Sequence, residues 1–545
     1  MTDTADRPSH VPASPDFPIE WLTPHDAELS WEWDDMHMPI SVALLTADYL
    51  RTLTSGFAYG YRRLGIPVEI LVRVVNGYAY FTVDTDVPEA DRDAMWVRRD
   101  EAARAQIPLA DAYWRERAIP ELRAHYGWVA AVPVESMTVD ELAAAWDEAW
   151  TRIGRCWSIH FYAIRGPYQV LEDLADLYES IVEGATPGEA LGLIGGGVHE
   201  LHDVERQLEA LATVVAATPE LADRFRHGGV TASELAARPD AQPLLTGLDA
   251  FLAEHGHLGQ GFDDLASPSW AEDPDLLLTE LAKRVEYPPA VGAEERREHQ
   301  AAQAAILAAG VRARLADDPA RLERFEALLG FARQIGQLTE VHNYWIDRMA
   351  QASLRRFVMR VAGRLVADGV IGQPDDVFHL RRDEIPELLR RPADRRGVVA
   401  ARRAEQAHWA AIQPPRKIGA PSEDGESDRF DGERFESTEP DELRGTGASA
   451  GLVRGRARVT RSQDDFGAVQ PGDIIVCAAS NPSWVPLFAI AGGLITDTGG
   501  VLSHAAVVAR EFALPAVVGT GDATHRIADG RLVELDGSTG TVRLL

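Results

Sequence analysis

Lysine is almost absent from this chain: Lys283 and Lys417 are the only two lysines among its 54 basic residues. A Walker-type phosphate loop needs a lysine in a glycine-rich turn, and neither lysine stands in one. That route to nucleotide binding is excluded. Cysteine is equally scarce. Cys156 and Cys477 are too few for a disulfide framework or a four-thiolate zinc site, and they suit a reducing compartment. No apolar run reaches the roughly 18 residues of a membrane span. Met1 to Phe17 is polar and Pro-rich, which fits neither a signal peptide nor a transmembrane segment. A basic surplus is missing too: 85 acidic residues against 54 basic ones leave a formal charge of −31. Such a surface repels nucleic-acid backbones and anionic membranes. The expectation is a soluble, cytoplasmic protein with neither as a partner.

What is present is length and apolar content. At 545 residues and 46% hydrophobic, the chain exceeds the roughly 250–300 residues at which single cores stop growing. An α+β multidomain architecture in four segments is expected. Residues 1–18 read as a disordered N-terminus and 19–412 as a mainly helical domain. Within Met137 to Tyr178, Leu142, Ala145, Trp146, Ala149, Trp150, Ile153 and Trp157 recur at the three- and four-residue steps of an amphipathic helix. Similar spacing recurs over Leu201 to Val214, Leu322 to Ile335 and Ile346 to Val370. Val68 to Val83 instead reads as a β-hairpin turning at Asn76-Gly77. Residues 413–444 are acidic and poor in aliphatics, the composition of a flexible linker. Residues 445–545 show short β runs between glycines, interrupted by one helix starting near Ser503, as in a compact α/β domain.

The most informative stretch is Thr496-Asp497-Thr498-Gly499-Gly500-Val501-Leu502-Ser503-His504. A strand ends, a Gly-Gly turn follows, Ser503 can cap a helix, and His504 stands in its first turn. Free N–H groups at a helix start, together with a glycine nest, stabilise an anion. An imidazole there can carry a phosphoryl group whose charge those donors hold, and desolvation keeps the ring neutral and nucleophilic. On the residues alone, a histidine at a helix start serves equally as a cap or core residue.

The run from Thr498 through Ser503-His504-Ala505-Ala506-Val507-Val508-Ala509-Arg510-Glu511 to Leu514-Pro515-Ala516-Val517-Val518-Gly519 resembles the phosphohistidine signature of the phosphoenolpyruvate-utilising enzymes. Gly447-x-x-Ala450-Gly451, Pro471-Gly472-Asp473, Asn481-Pro482-Ser483-Trp484 and Asp536-Gly537 extend the likeness over residues 445 to 545. The resemblance implies a phosphohistidine swivel domain with His504 as phosphoryl carrier and Ser503, Thr498, Gly499 and Gly500 as its catalytic surroundings. The linker is then the tether of a swivelling domain. Dikinases often place a regulatory threonine two residues before the histidine; Leu502 stands there instead.

Members of the family that act alone carry an ATP-grasp domain, and many add a phosphoenolpyruvate-binding barrel. The first 412 residues show the pattern of neither. A separate ATP-grasp subunit, similar to that of pyruvate phosphate dikinase, is therefore expected to load His504, with ATP and Mg2+ on that partner and no cofactor held tightly here. Trp31-Glu32-Trp33-Asp34-Asp35-Met36-His37-Met38-Pro39 is similar to the opening motif of split members such as phenylphosphate synthase and 4-methylphenyl-phosphate synthase. Glu254-His255-Gly256-His257, with Pro268-Ser269-Trp270, resembles the acceptor domain of rifampin phosphotransferase. The helical region is then the acceptor domain. Transfer to a phenolic hydroxyl needs a base and a flat apolar slot, which His37, Trp31, Trp33, His342, Tyr344, Trp345 and Asp347 are candidates to provide. No metal ligand set is expected; His199 and His202 stand one residue short of the zinc-protease spacing. The function so implied is the phosphohistidine-carrying subunit of an ATP-dependent phosphotransferase acting on a small, phenolic hydroxyl substrate. The alternatives are a rifampin-phosphotransferase-like antibiotic-modifying fragment and a non-catalytic, phosphorylation-responsive module.

Overall fold

The structure is a computed structural model describing residues 17–35, 37–259, 264–289, 291–421, 441–460, 465, 468–480, 484–488, 490–501 and 503–545, without the side chains of Glu89, Pro187, Val485, Pro486 and His504. Helices dominate its first part. Helix α1 (Leu44–Arg63) packs along α2 (Val139–Ala163), which opens with a capping box between Thr138 and Glu141. The contact is close because α1 presents glycines. A Cβ on Gly56 would lie 2.9 Å from the Trp157 carbonyl carbon, and one on Gly60 2.8 Å from the Phe161 carbonyl oxygen. The apolar steps read from the sequence fall on the buried face of α2, and the run breaks at Ile164 before α3 (Arg165–Glu179). Helices α4 (Glu200–Ala216), α5 (Ala293–Arg314) and α6 (Pro319–Ile335) follow. Then α7 (Leu338–His342), a π turn (Asn343–Arg348) and α8 (Met349–Ala367) run on from one another. No helix among the described residues is long and apolar enough to cross a membrane.

A four-stranded antiparallel sheet sits beside these helices: β1 (Ser30–Trp33), β2 (Glu69–Val75), β3 (Tyr78–Asp84) and β4 (Lys417–Gly419), in the order β2-β3-β1-β4. The β2–β3 turn has positive φ at Asn76 (52°) and Gly77 (84°), the primed geometry that follows the strands' twist. Strand pairing corrects two expected boundaries. Of the tail expected over 1–18, residues 1–16 lie outside the described residues, but Phe17 is buried against Tyr78 and Trp409, and Pro18 accepts a hydrogen bond from Asn76. The linker expected over 413–444 is shorter at both ends. Lys417–Gly419 pair with β1, and Glu442–Arg444 form a strand of the last domain. Residues 422–440 lie outside the described residues.

The last domain is an eight-stranded sheet of β5 (Glu442–Arg444), β6 (Thr446–Ser449), β7 (Leu452–Val459), β8 (Ile474–Cys477), β9 (Gly493–Thr496), β10 (Ala516–Val518), β11 (Leu532–Asp536) and β12 (Thr541–Leu544). Its order is β5-β12-β11-β7-β8-β9-β10-β6, parallel from β7 to β10 and antiparallel at both flanks. Strands β8 and β9 are buried along their whole length, as parallel strands covered on both faces are. Helix α9 (His504–Glu511) covers one face through Ala505, Ala506, Val508 and Ala509; Leu443, Ile527 and Val533 belong to the cluster on the other.

Candidate functional site: a carrier loop docked on a histidine-rich face

Where β9 ends, at the carboxyl edge of the parallel strands, side chains fix the turn. The Thr498 amide and hydroxyl both donate to the Ala478 carbonyl at 3.0 and 2.9 Å, and the Thr496 hydroxyl donates to the Thr498 carbonyl at 2.6 Å. Gly499 has φ +99°, and a Cβ there would meet the Ser503 hydroxyl at 2.8 Å. Only glycine suits both demands. The Ser503 hydroxyl accepts from the Ala506 amide at 3.4 Å, and the Ser503 amide donates to the Gly500 carbonyl at 3.0 Å. His504 is thereby the first residue of α9; its side chain and Leu502 lie outside the described residues. The carboxyl edge of an open α/β sheet, beside a helix start, is where such folds bind anionic groups. Asp497 anchors the turn by accepting from the Thr524 amide at 2.9 Å and from its hydroxyl. Arg510 braces the loop by donating to the Val501 carbonyl at 2.8 Å.

The carrier loop faces the helical domain. Gln300 on α5 donates to the Glu511 carbonyl at 2.8 Å, Arg296 lies 4.5 Å from the Phe512 ring, and Val501 packs on the cluster that contains Leu171 and Ile335. Burial pulls Arg510 down to about 10, against the attraction of Glu340 and Glu511. Burial pushes the Glu511 carboxyl up to about 8, with Glu340 and Glu205 adding and Arg510 and Arg296 opposing. Burial also raises Asp497, and Asp35 of the helical domain adds to that shift. Asp35, Glu340, Glu205 and Arg296 of the helical domain thus act electrostatically on the carrier domain.

Beside Asp35 stands His37. Its ring Nδ1 lies 2.9 and 3.1 Å from the two carboxylate oxygens of buried Asp34, which also accepts from the His37 amide at 3.0 Å. The turn is pinned by Trp33 Nε1 donating to the Met38 carbonyl at 3.1 Å and by the Asp34 amide donating to the Ala79 carbonyl at 2.9 Å. His37 is about half exposed on its side chain, at 48%.

Deeper in the helical domain, His160 of α2 places Nδ1 2.8 Å from Asp347 Oδ1, and its ring stands nearly perpendicular to that of His342, 4.6 Å between centroids. His342 donates from Nδ1 to the Leu338 carbonyl at 2.8 Å. A π turn closes i to i+5 rather than i to i+4, and this one brings His342 and Asp347, five residues apart, to the same side. The shifts all run toward the uncharged form. Burial, with Arg165 and His37 adding, takes His160 to about 3. Burial, then His160, takes His342 to about 4, and burial raises Asp347.

The structure brings some expected residues together and separates others. Thr498, Gly499, Gly500, Ser503 and the His504 backbone form one turn; His342 and Asp347 meet; His37 acts electrostatically on His160 and Asp347. Trp31 and Trp33 are not pocket walls. Both are buried in the aromatic cluster of the small sheet, where Trp31 donates to the Asp26 carbonyl at 2.7 Å. Tyr344 and Trp345 leave the π turn in another direction. The Tyr344 hydroxyl bonds His255 Nδ1 at 2.9 Å, and Trp345 Nε1 donates to Glu200 at 2.6 Å. In a π turn residues five apart share a side, and those two and three past His342 project away from it. Tyr344 adjoins a second cluster, Asp203, Glu254 and His255. His202 pairs with Glu294 at 3.1 Å. The sequence reading missed His160, although it continues the apolar steps of Trp146, Trp150, Ile153 and Trp157: an ionisable residue on a core face was the available signal.

A parallel α/β sheet presenting a capped helix start and a glycine turn, docked on a helical domain, defines the class. The family of PEP-utilising enzymes, mobile domain, matches residues 469–540, and the rifampicin phosphotransferase fourth domain matches 174–340. The end of the chain thus matches a mobile domain of PEP-utilising enzymes, and part of its helical region a domain of rifampicin phosphotransferase. Among curated relatives, chondramide synthase of Chondromyces crocatus is 30% identical over 100% of this chain and 14% of its own length. An uncharacterised phosphotransferase of Bacillus subtilis is 26% identical over 71% of this chain and 47% of that protein. Rifampicin phosphotransferase of Streptomyces sviceus is 31% identical over 66% and 40%. The chain therefore spans less than half the length of each of these relatives. A solution structure of Enzyme I aligns with 44% of this chain and 64% of that one at 18% identity with a TM-score of 0.14, too low to carry an argument.

Proposed function

We propose that this chain is the phosphohistidine-carrying and acceptor-binding part of an ATP-dependent phosphotransferase. His504 takes a phosphoryl group from an ATP-grasp unit that this sequence does not contain, where ATP and Mg2+ are bound, and passes it to a hydroxyl acceptor on the helical domain. The observation that carries the reading is the docking of the carrier domain on the helical domain, through Gln300 to the Glu511 carbonyl and Val501 on the Leu171–Ile335 cluster, with Asp35 close enough to Asp497 to raise it. In the transfer, the P–N bond at His504 breaks as a P–O bond forms. The hydroxyl proton passes to His37 Nε2, since Asp34 holds Nδ1, and His504 leaves as neutral imidazole when its other nitrogen carries a proton. An Asp–His pair of this kind orients a general base, and the N–H groups at the start of α9 hold the charge of the phosphoryl oxygens.

The acceptor class we favour is a small aromatic alcohol or phenol. A second reading, a larger antibiotic acceptor, draws on the rifampicin phosphotransferase relatives and the fourth-domain match. The test mixes the full chain with a family ATP-grasp protein and phosphate-labelled ATP, then with phenols, benzylic alcohols or rifampicin. Acid-labile label is expected on the wild type, none on His504→Ala, and retained label without onward transfer on His37→Gln. Label arriving from ATP without a partner would sink the divided-labour claim. Transfer at wild-type rate by His37→Gln would remove His37 as the base.

A further inference from the structure

The helical domain buries three groups that the proposed transfer does not need. His160, His342 and Asp347 are 7%, 4% and 7% exposed, and one donor atom from each lies within 4.8 Å of the others. Burying a carboxylate and two imidazoles together is costly unless they are paired or hold an ion. They come from segments far apart in sequence, since 187 residues separate His160 from Asp347, and the π turn aligns Asp347 with His342. π turns are rare and recur at functional sites.

We propose that His160, His342 and Asp347 form a binding site for a first-row divalent cation, zinc foremost. Two imidazoles and one carboxylate make the donor set of three-ligand zinc sites that leave a position open. The outer contacts agree. His342 donates Nδ1–H to the Leu338 carbonyl, which turns the lone pair of Nε2 toward the cluster, as ligating histidines are held in metalloproteins. Donors about 2.0–2.2 Å from one tetrahedral ion lie about 3.3–3.6 Å apart. The His160–Asp347 pair lies at 2.8 Å and the three donors within 4.8 Å of one another, so modest side-chain rotations close the set on one ion. Glu340, whose charge acts on both His342 and Asp347, favours a cation; Arg165 and Arg348 oppose it. The site does not depend on the acceptor reading, because metal binding is measurable with no transfer at all.

The test titrates the chelator-treated full chain with Co2+, followed by its visible absorption, and then adds Zn2+. One equivalent of Co2+ is expected, displaced by Zn2+. His342→Gln and Asp347→Asn lose the band, while Glu254→Gln, in the more exposed second cluster, keeps it. A readout without variants guards against misfolding. Co2+ on the wild type is expected to shift the His342 Nδ1–H proton resonance, which its bond to Leu338 protects from exchange. The proposal is overturned if the wild type binds neither metal, if binding survives both substitutions, if only Glu254→Gln abolishes it, or if no His342 resonance moves.

Discussion

Glu511 is expected to make carrier docking sensitive to pH. The docked carboxyl is pushed up to about 8 from an ordinary 4.5, chiefly by burial at the surface shared with α5. If the carrier domain swings away, this carboxyl regains water and returns toward its ordinary value. The docked form therefore holds a proton that the released form gives up. The contribution is fully present below the released pKa and is lost as pH rises through the docked one. Between those limits docking weakens by up to about tenfold, or about 1.4 kcal/mol, for each pH unit. That slope is an upper bound, because part of the burial belongs to the carrier domain itself. Glu511→Gln removes the titration and leaves the shape. The assay is energy transfer between dyes on introduced surface cysteines, one per domain; native Cys156 and Cys477 are buried and their thiols pushed up, so they react slowly. Wild type is expected to pass from docked to released as pH rises from about 6 to 8, and Glu511→Gln to stay docked throughout. An identical slope in the variant, or docking that strengthens with pH, refutes the reasoning.

Gly499→Ala forces a side chain into φ +99° and into contact with the Ser503 hydroxyl. A loss of about 1–2 kcal/mol in carrier-domain stability is expected by denaturant unfolding, with weaker labelling at His504; unchanged stability would contradict the strain. Ser503→Ala removes the acceptor for the Ala506 amide and is expected to cost about 1 kcal/mol, read as a lower melting temperature of the same domain. Gly60→Ala would place a methyl 2.8 Å from the Phe161 carbonyl oxygen. It is expected to destabilise the helical domain by about 1–3 kcal/mol, measured by calorimetry, and a melting temperature equal to wild type would argue against tight α1–α2 packing.

The carrier site was legible because its determinants are contiguous. Strand β9, the turn at Gly499, the Ser503 cap and the start of α9 lie within a dozen or so residues, and each answers to a local rule of strand, turn or cap. The hairpin at Asn76-Gly77 was legible for the same reason. Strand β4 was not: Lys417–Gly419 is extended only because β1, nearly 400 residues earlier, offers an edge, and the surrounding composition read as linker. Trp31 and Trp33 were visible as residues but not in direction. The pairing of β1 between β3 and β4 turns them into the sheet's core, so they hold the His37 turn from behind instead of lining a pocket.

The helical-domain face shows what a one-dimensional reading misses. His160, His342 and Asp347 meet because two conditions hold together, one of long range and one local. Gly56 and Gly60 let α1 approach α2 closely, which fixes where the His160 face of α2 points. The π turn then re-phases His342 against Asp347, and no propensity of Asn343 to Arg348 announces it. Had the segment stayed α-helical, residues five apart would project to different sides, and Asp347 could not reach His160. The same re-phasing sends Tyr344 to His255 and Trp345 to Glu200. One local irregularity thus explains both why a buried donor set exists and why the aromatic walls expected beside it are absent. It also makes the carrier loop and the buried donor set separable by experiment: changes at Gly499 or Ser503 act on a site encoded locally, whereas changes at His160, His342 or Asp347 act on one assembled by packing.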